Sequence, residues 1–269
     1  MHPVLFKIGW FELHPFGLLL VLSFILGIIL SLKRAKKTGV DQNIILDFAV
    51  VVCISGIIGA RLMYTIFHLD EFKGHYLDII NPIQSSGAVG IYGMTVLGGI
   101  ILASVSGIIY LQFKNVSKLS VFNVIAPSVA LGFAITRIGC FFQGCCFGTP
   151  CLHSWGVTFP ENSPGGFIFP NQALHPTQLY ASFGGLINFL LLLYLERYTV
   201  VKNKTFFLFL IFYGVSRFIE DIFRYYEESM ILFHNDGVSV SVNQGICAVL
   251  ILTGIYGIFY ISLRKYKQI

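Results

Sequence analysis

Seven apolar stretches, each close to the length a helix needs to cross a hydrocarbon core, dominate the 269-residue chain and leave little room for a soluble fold. A span requires roughly 20 consecutive apolar residues. Such runs lie at approximately 16–32, 44–68, 90–112, 119–136, 177–195, 205–223 and 243–263. In lipid a segment must satisfy its own backbone polar groups, which makes runs of this length α-helices. With 55% hydrophobic and 12% charged residues, the composition lies outside the soluble globular range. The expected fold is all-α and integral to the membrane: one seven-helix domain over residues 1–269, with a long exterior loop at about 140–176. No small-residue cleavage site follows the first run before Lys33, so it reads as a span and not as a removable leader.

Orientation follows from lysine and arginine near the span ends, which concentrate on the cytoplasmic side. Lys33, Arg34, Lys36 and Lys37 follow the first run; Lys114 and Lys118 separate the third and fourth; Arg197, Lys202 and Lys204 separate the fifth and sixth; Arg264, Lys265 and Lys267 follow the seventh. These alternate connections hold 12 of the 18 basic residues, so they are placed in the cytoplasm, with the N-terminus outside and the C-terminus inside. The formal charge of +5 expresses this bias and gives no reason to expect nucleic acid as a partner.

Four arginines escape that explanation. Arg61, Arg137, Arg217 and Arg224 lie in or at the ends of apolar runs. An arginine at the centre of a span costs about 2.5–3.5 kcal/mol on insertion scales, so such residues are rare and mark functional sites. Arginine is also the planar, permanently charged fork that suits phosphate. The topology puts all four in the outer half of the membrane, which suggests a phosphate-bearing lipid headgroup as ligand. Arg217 with Asp221, and Glu220 with Arg224, have the i,i+4 spacing of helical ion pairs, a neutralising role that is compatible with direct catalysis.

The long connection leads into the fifth run through Asn171-Gln172-Ala173-Leu174-His175-Pro176-Thr177-Gln178-Leu179-Tyr180. His175 is by type the general-base candidate, although a histidine before proline also serves as a hydrogen-bonding group at a helix entry. Cys140, Cys145, Cys146 and Cys151 fall within twelve residues, whereas Cys53 and Cys247 sit alone in apolar runs as small core residues. Their C-x4-C-C-x4-C spacing is unlike a familiar zinc knuckle. One or more disulfides that rigidify an exterior loop are therefore expected, with free thiols the alternative in a reducing setting. No metal and no cofactor are expected.

Taken in order, several segments resemble the bacterial prolipoprotein diacylglyceryl transferases. Gly59-Ala60-Arg61 resembles that family's Ala-Arg segment, and Gly90-Ile91-Tyr92-Gly93 occupies the place of its His-Gly-Gly helix start. Arg137-Ile138-Gly139 through Gly148 matches its signature, His175-Pro176-Thr177-Gln178-Leu179-Tyr180 its His-Pro motif, and Tyr213-Gly214-x-x-Arg217 with Asp221 and Arg224 its last arginine segment. The chain departs from the family pattern at Phe16, Tyr92, Thr136, Cys140, Gln143, Cys145, Ala181 and Asp221. Arginines and glycines match, while much of the hydrogen-bonding and acid-base chemistry differs.

The resemblance implies transfer of the diacylglyceryl group of phosphatidylglycerol to the lipobox cysteine in the signal-peptide region of a preprolipoprotein, at the bacterial cytoplasmic (inner) membrane. The reaction is substitution at a glycerol carbon with a phosphate ester as leaving group. It requires stabilisation of charge on that phosphate and deprotonation of the incoming thiol. Arg137 and Arg217 are assigned to the first demand; for the second, Tyr92 takes the place of the motif histidine but is a poor base at neutral pH, which leaves His175 as the base or a lipid phosphate as the proton acceptor. Arg61, Gly93, Gly139, Cys140, Gln143, Gly148, Tyr213, Asp221 and Arg224 are expected to line the phospholipid and acceptor site. The alternatives are a specialised paralogue with another acceptor and a non-catalytic phospholipid-binding membrane protein.

Overall fold

A computed structural model describes residues 6–8, 11–79, 93–198, 201, 203–235 and 238–266. Tyr92, together with the rest of the segment at 80–92, lies outside the described residues. Eight α-helices occur among them: α1 Pro15–Thr38, α2 Gln42–Phe67, α3 Val96–Phe113, α4 Lys118–Gln143, α5 Pro164–Ile168, α6 Thr177–Leu195, α7 Thr205–Asp221 and α8 Val242–Tyr266. Three two-stranded antiparallel ribbons accompany them: β1 Phe6–Ile8 with β2 Phe11–Leu13, β3 Val157–Thr158 with β4 Ala173–Leu174, and β5 Ile231–Asn235 with β6 Val238–Ser241.

Six helices, all but α5 and α7, are long and apolar enough to cross a membrane. Many apolar side chains point outward, among them Val21, Ile54, Ile58, Val96, Val249 and Leu252, while buried serines, asparagines, glutamines and charged groups share the interior with alanines and other apolar side chains. Such a distribution fits hydrocarbon as the surrounding solvent, because outward apolar groups lose nothing there and inward polar groups find one another. The chain is an integral membrane protein.

Several expected boundaries shift. The third span begins at Val96 and not at 90, because Gly93 adopts a left-handed conformation (φ 79°) and residues 93–95 are not helical. The fourth continues past 136 to Gln143, so Arg137, Gly139 and Cys140 belong to α4 and the long connection starts at Gly144. The sixth ends at Asp221 instead of 223; its 17 residues make a helix of about 26 Å, shorter than a hydrocarbon core of roughly 30 Å. The chain leaves the helix there because Asp221 is drawn into polar contacts described below.

The chain divides into two compact units, Leu32–Val121 on one hand and Met1–Ser31 with Phe122–Ile269 on the other. In the first, α2 and α3 pack through small residues: a Cβ on Gly59 would stand 2.4 Å from the carbonyl oxygen of Gly98, so only glycine permits this approach. In the second, the first half of α1 runs antiparallel to α4. Gly139 rests on Phe16, Thr136 Oγ1 donates to Ser23 Oγ at 3.3 Å, and Ser31 Oγ donates to Ser128 Oγ at 2.8 Å. Helix α4 also packs against α6, where Ser182 Oγ donates to the carbonyl of Ala134 at 2.8 Å, and against α7 through Phe122–Phe206 and Phe133–Tyr213, each with ring centroids 5.1 Å apart.

Candidate active site

The second unit gathers most of the expected site. Phe133 of α4 meets Tyr213 of α7 edge to face, and Arg137 and Arg217 each follow one helical turn later on the same faces. Arg137 is half-buried with its guanidinium over the Phe133 ring, 4.6 Å from the centroid. Among the described residues, no carboxylate pairs with Arg137. Its charge is therefore available to an anion.

Arg217 is in the opposite situation. It is 6% exposed, and its Nη1 donates to Glu220, at i,i+3 and not the i,i+4 spacing expected for its principal partner. Nη2 donates to the Tyr226 hydroxyl at 3.1 Å and lies 3.7 Å from Asp221. Asp221 in turn accepts from Tyr226 Oη, from Ser241 Oγ and from Asn243 Nδ2, the last at 3.0 Å. Arg224 stands beyond the helix end, with its guanidinium over the Tyr226 ring and Nη1 3.7 Å from Glu220. That nitrogen is buried and makes no hydrogen bond, so the expected Glu220–Arg224 pair forms but leaves a donor uncommitted.

A connection threaded between two others holds this cluster in place. Gly148 N donates to the carbonyl of His175 at 3.0 Å, Thr149 N to that of Phe223 at 2.9 Å, Cys151 N to that of Ala173 at 2.8 Å, and Tyr225 N to that of Phe147 at 3.2 Å. A Cβ on Gly148 would stand 2.5 Å from the Phe223 oxygen and 2.6 Å from the His175 Cβ, so a glycine is required. The segment after Arg137, the segment before α6 and the segment after α7 are thus joined into one polar scaffold. Phe147, Phe159 and Leu174 form the apolar core beneath it.

The His-Pro motif acts mainly through residues the sequence reading passed over. Thr177 Oγ1 donates to the carbonyl of Cys146 at 2.8 Å, and Gln178 Nε2 to that of Cys145 at 2.7 Å; both side chains are fully buried. His175 lies with Nδ1 3.2 Å from the Tyr180 hydroxyl and its ring against Phe223. Burial, and secondarily the charge of His153, lowers its pKa below the ordinary histidine value, so the ring is held neutral.

All the cysteines are free thiols, which corrects the expected disulfides. The Sγ atoms of Cys140, Cys145 and Cys146 nevertheless lie within 4.8 Å of one another, because Gly144 (φ 71°) and Cys146 (φ 61°) fold the chain back over the end of α4. Hydrogen bonds from Cys140 and Cys145, with Arg224 and Arg137 nearby, hold the Cys146 thiol below the ordinary thiol range, while its bond to Cys140 pushes the Cys145 thiol up. Gln143 is the half-buried last residue of α4.

In the other unit, Arg61 is committed to backbone. Its Nε donates to the carbonyl of Ile79 at 2.8 Å, Nη2 to that of Asp78 at 2.7 Å and Nη1 to that of Gly93 at 3.1 Å. Arg61 therefore ties down the approach to α3, and Gly93 sits where a Cβ would collide with the Tyr64 ring at 2.3 Å. Signals for the missed residues do exist in the sequence. Tyr226 lies two residues after Arg224, and Ser241, Asn243 and Gln244 form a polar entry to α8 like that of α6.

Fold and site define a multi-helix membrane protein that carries a buried network of arginines, carboxylates and thiols at one end of its helices. The chain belongs to the prolipoprotein diacylglyceryl transferase family, whose match spans residues 3–260. It is 33% identical over 271 residues to the phosphatidylglycerol–prolipoprotein diacylglyceryl transferase of Clostridium tetani, covering 100% of both chains. The protein of that name from Fusobacterium nucleatum is 33% identical over 73% of this chain and 78% of its own, and the one from Prochlorococcus marinus 34% over 75% and 69%.

Proposed function

We propose that this chain transfers the diacylglyceryl group of phosphatidylglycerol to the lipobox cysteine of preprolipoproteins, as part of lipoprotein biosynthesis in the bacterial cytoplasmic membrane. It acts as a single seven-span domain with the N-terminus outside and the C-terminus in the cytoplasm. Helix α7 is the sixth of the seven spans despite its length, because the distribution of basic residues requires an odd number of crossings.

The observation that carries the reading is the guanidinium of Arg137, half-buried, without a carboxylate partner among the described residues and next to a thiol cluster. In a low-dielectric site such a charge binds the headgroup phosphate and stabilises the negative charge that grows on it as the glycerol C–O bond breaks. Arg217, fixed by Glu220, Asp221 and Tyr226, presents the remainder of its fork to the same phosphate. Arg224 supplies the uncommitted donor at Nη1. An apolar groove of about 390 Å³ between α6 and α7, lined by Leu179, Phe183, Ile219 and Phe223 and reaching Glu220, accommodates an acyl chain. Arg61 and Gly93 hold the backbone at the start of α3 in the other unit, and the family resemblance assigns them, with Tyr92 next to Gly93 in sequence, to the phospholipid. Gly139, Cys140, Gln143, Gly148 and Tyr213 form its walls, and His175 orients the acceptor or takes its proton.

Complementation of a bacterial strain depleted of its own transferase tests this reading. Growth and lipid-modified lipoproteins are expected with the wild-type chain and not with Arg137→Ala. Failure of the wild type, expressed and inserted, contradicts the reading.

A further inference from the structure

The three sulfurs of Cys140, Cys145 and Cys146 form a preorganised set. Cys140 lies on the last turn of α4, and Cys145 N donates to the Cys140 carbonyl at 3.2 Å, which closes the turn. Thr177 and Gln178 then fix the next two carbonyls from a different helix, so the turn is held on both sides. The Sγ atoms fall within 4.8 Å of one another. A tetrahedral zinc ion, with Zn–S near 2.3 Å, holds its sulfurs about 3.8 Å apart, so small side-chain rotations complete the set. Cys151 directs its Sγ to the carbonyl of His153 and is not part of the cluster.

Three protein ligands with a fourth position left open is the arrangement of catalytic zinc sites, whereas structural sites close all four. A divalent ion with three thiolates carries one net negative charge, a modest load for a site on the polar end of the helices. Among the described residues, Asp221 already accepts three hydrogen bonds and Glu220 is paired with Arg217, so neither carboxylate is ready to take the thiol proton.

We propose that Cys140, Cys145 and Cys146 bind a divalent thiophilic cation of the zinc class, and that the acceptor cysteine of the lipobox takes the fourth position. This inference rests on the transferase reading. On coordination the acceptor thiol loses its proton to solvent, because a metal-bound thiol is deprotonated outright. The sulfur electron pair then attacks the glycerol carbon. The C–O bond breaks with its electron pair remaining on the phosphate oxygen of the departing glycerol phosphate, which Arg137 faces. The product thioether is a weaker ligand than a thiolate and leaves the ion.

Cobalt substitution of the detergent-purified, metal-stripped protein tests the proposal. One Co²⁺ per chain with thiolate-to-cobalt charge-transfer bands is expected, lost or weakened in Cys140→Ser, Cys145→Ser and Cys146→Ser and retained in Cys151→Ser. A lipobox peptide should shift the spectrum, and the same peptide with its cysteine replaced by serine should not. Absence of thiolate bands, or a wild-type spectrum that ignores the cysteine peptide, overturns the proposal without relying on any variant to fold. Transfer is measured on the same samples. Undiminished transfer by metal-stripped protein removes the metal and leaves the transferase reading intact. A cobalt spectrum that responds to the peptide while no transfer occurs in any metal form supports the thiol-binding site and contradicts the transferase reading.

Discussion

Nε2 of Gln178 donates to the carbonyl oxygen of Cys145 at 2.7 Å, across 33 residues of sequence and from the first turn of α6 to the turn after α4. This bond and its neighbour from Thr177 to Cys146 explain why a polar pair stands fully buried at the start of an apolar helix. They set the position of two of the three clustered sulfurs. A family motif that reads as catalytic in sequence is thus largely a brace for the signature loop.

Gln178→Leu keeps the volume but leaves the Cys145 carbonyl without its donor. A buried polar group left unsatisfied costs about 1–3 kcal/mol. Thermal unfolding in detergent should show a lowered Tm, together with reduced transfer because the sulfurs lose their register. An unchanged Tm would contradict the bracing role.

Asp221→Ala should be more damaging. It removes one carboxylate from a network in which Arg217, Glu220 and Asp221 are all about 95% buried, and breaking a buried pair costs about 3–5 kcal/mol. Asp221→Asn, whose amide oxygen still accepts from Tyr226 while its nitrogen faces the Ser241 hydroxyl, should lie between wild type and alanine. The order of the three Tm values checks this.

Arg137 has the reverse profile. Its contact with the Phe133 face is worth about 0.5–2 kcal/mol, so Arg137→Ala should unfold close to the wild type yet lose transfer entirely. Arg137→Lys should not restore transfer, because an ammonium group lacks the bidentate fork. Arg137→Ala that is both folded and active would remove this residue from the site.

His175 sets a pH dependence whose sign follows from its environment. Burial lowers its pKa in the folded protein, so the unfolded chain binds the proton more readily than the folded one. The contribution of neutral His175 to stability is present above the ordinary value of about 6.5 and is lost as pH falls below it. The Tm of the wild type should therefore drop over that acid interval more than that of His175→Gln, and NMR of the imidazole should show titration below 6.5.

Hydrophobic run length made six spans legible, and the isolated arginines marked the helix end where Arg217 and Arg224 meet their carboxylates, because both are one-dimensional signals with a strong physical cause. The end of α7 at Asp221 was not legible, since it depends on Tyr226, Ser241 and Asn243, residues brought together only by the fold. Arg61 shows what that rule omits: an arginine in a span satisfies the criterion for a functional charge, while its fork also meets the carbonyls of Asp78, Ile79 and Gly93. The cysteines were misread as disulfide partners because spacing says nothing of a left-handed residue at Cys146, which turns two adjacent thiols toward a third.

Mass measurement of a lipobox peptide incubated with the purified protein and phosphatidylglycerol tests the central claim most directly. The account predicts that the peptide gains one diacylglyceryl group at its cysteine, that glycerol phosphate appears in equal amount, and that Arg137→Ala yields neither product. Binding of phosphatidylglycerol by the wild-type chain without any modified peptide, under reducing and oxidising conditions alike, would contradict it and leave a phospholipid-binding membrane protein in its place.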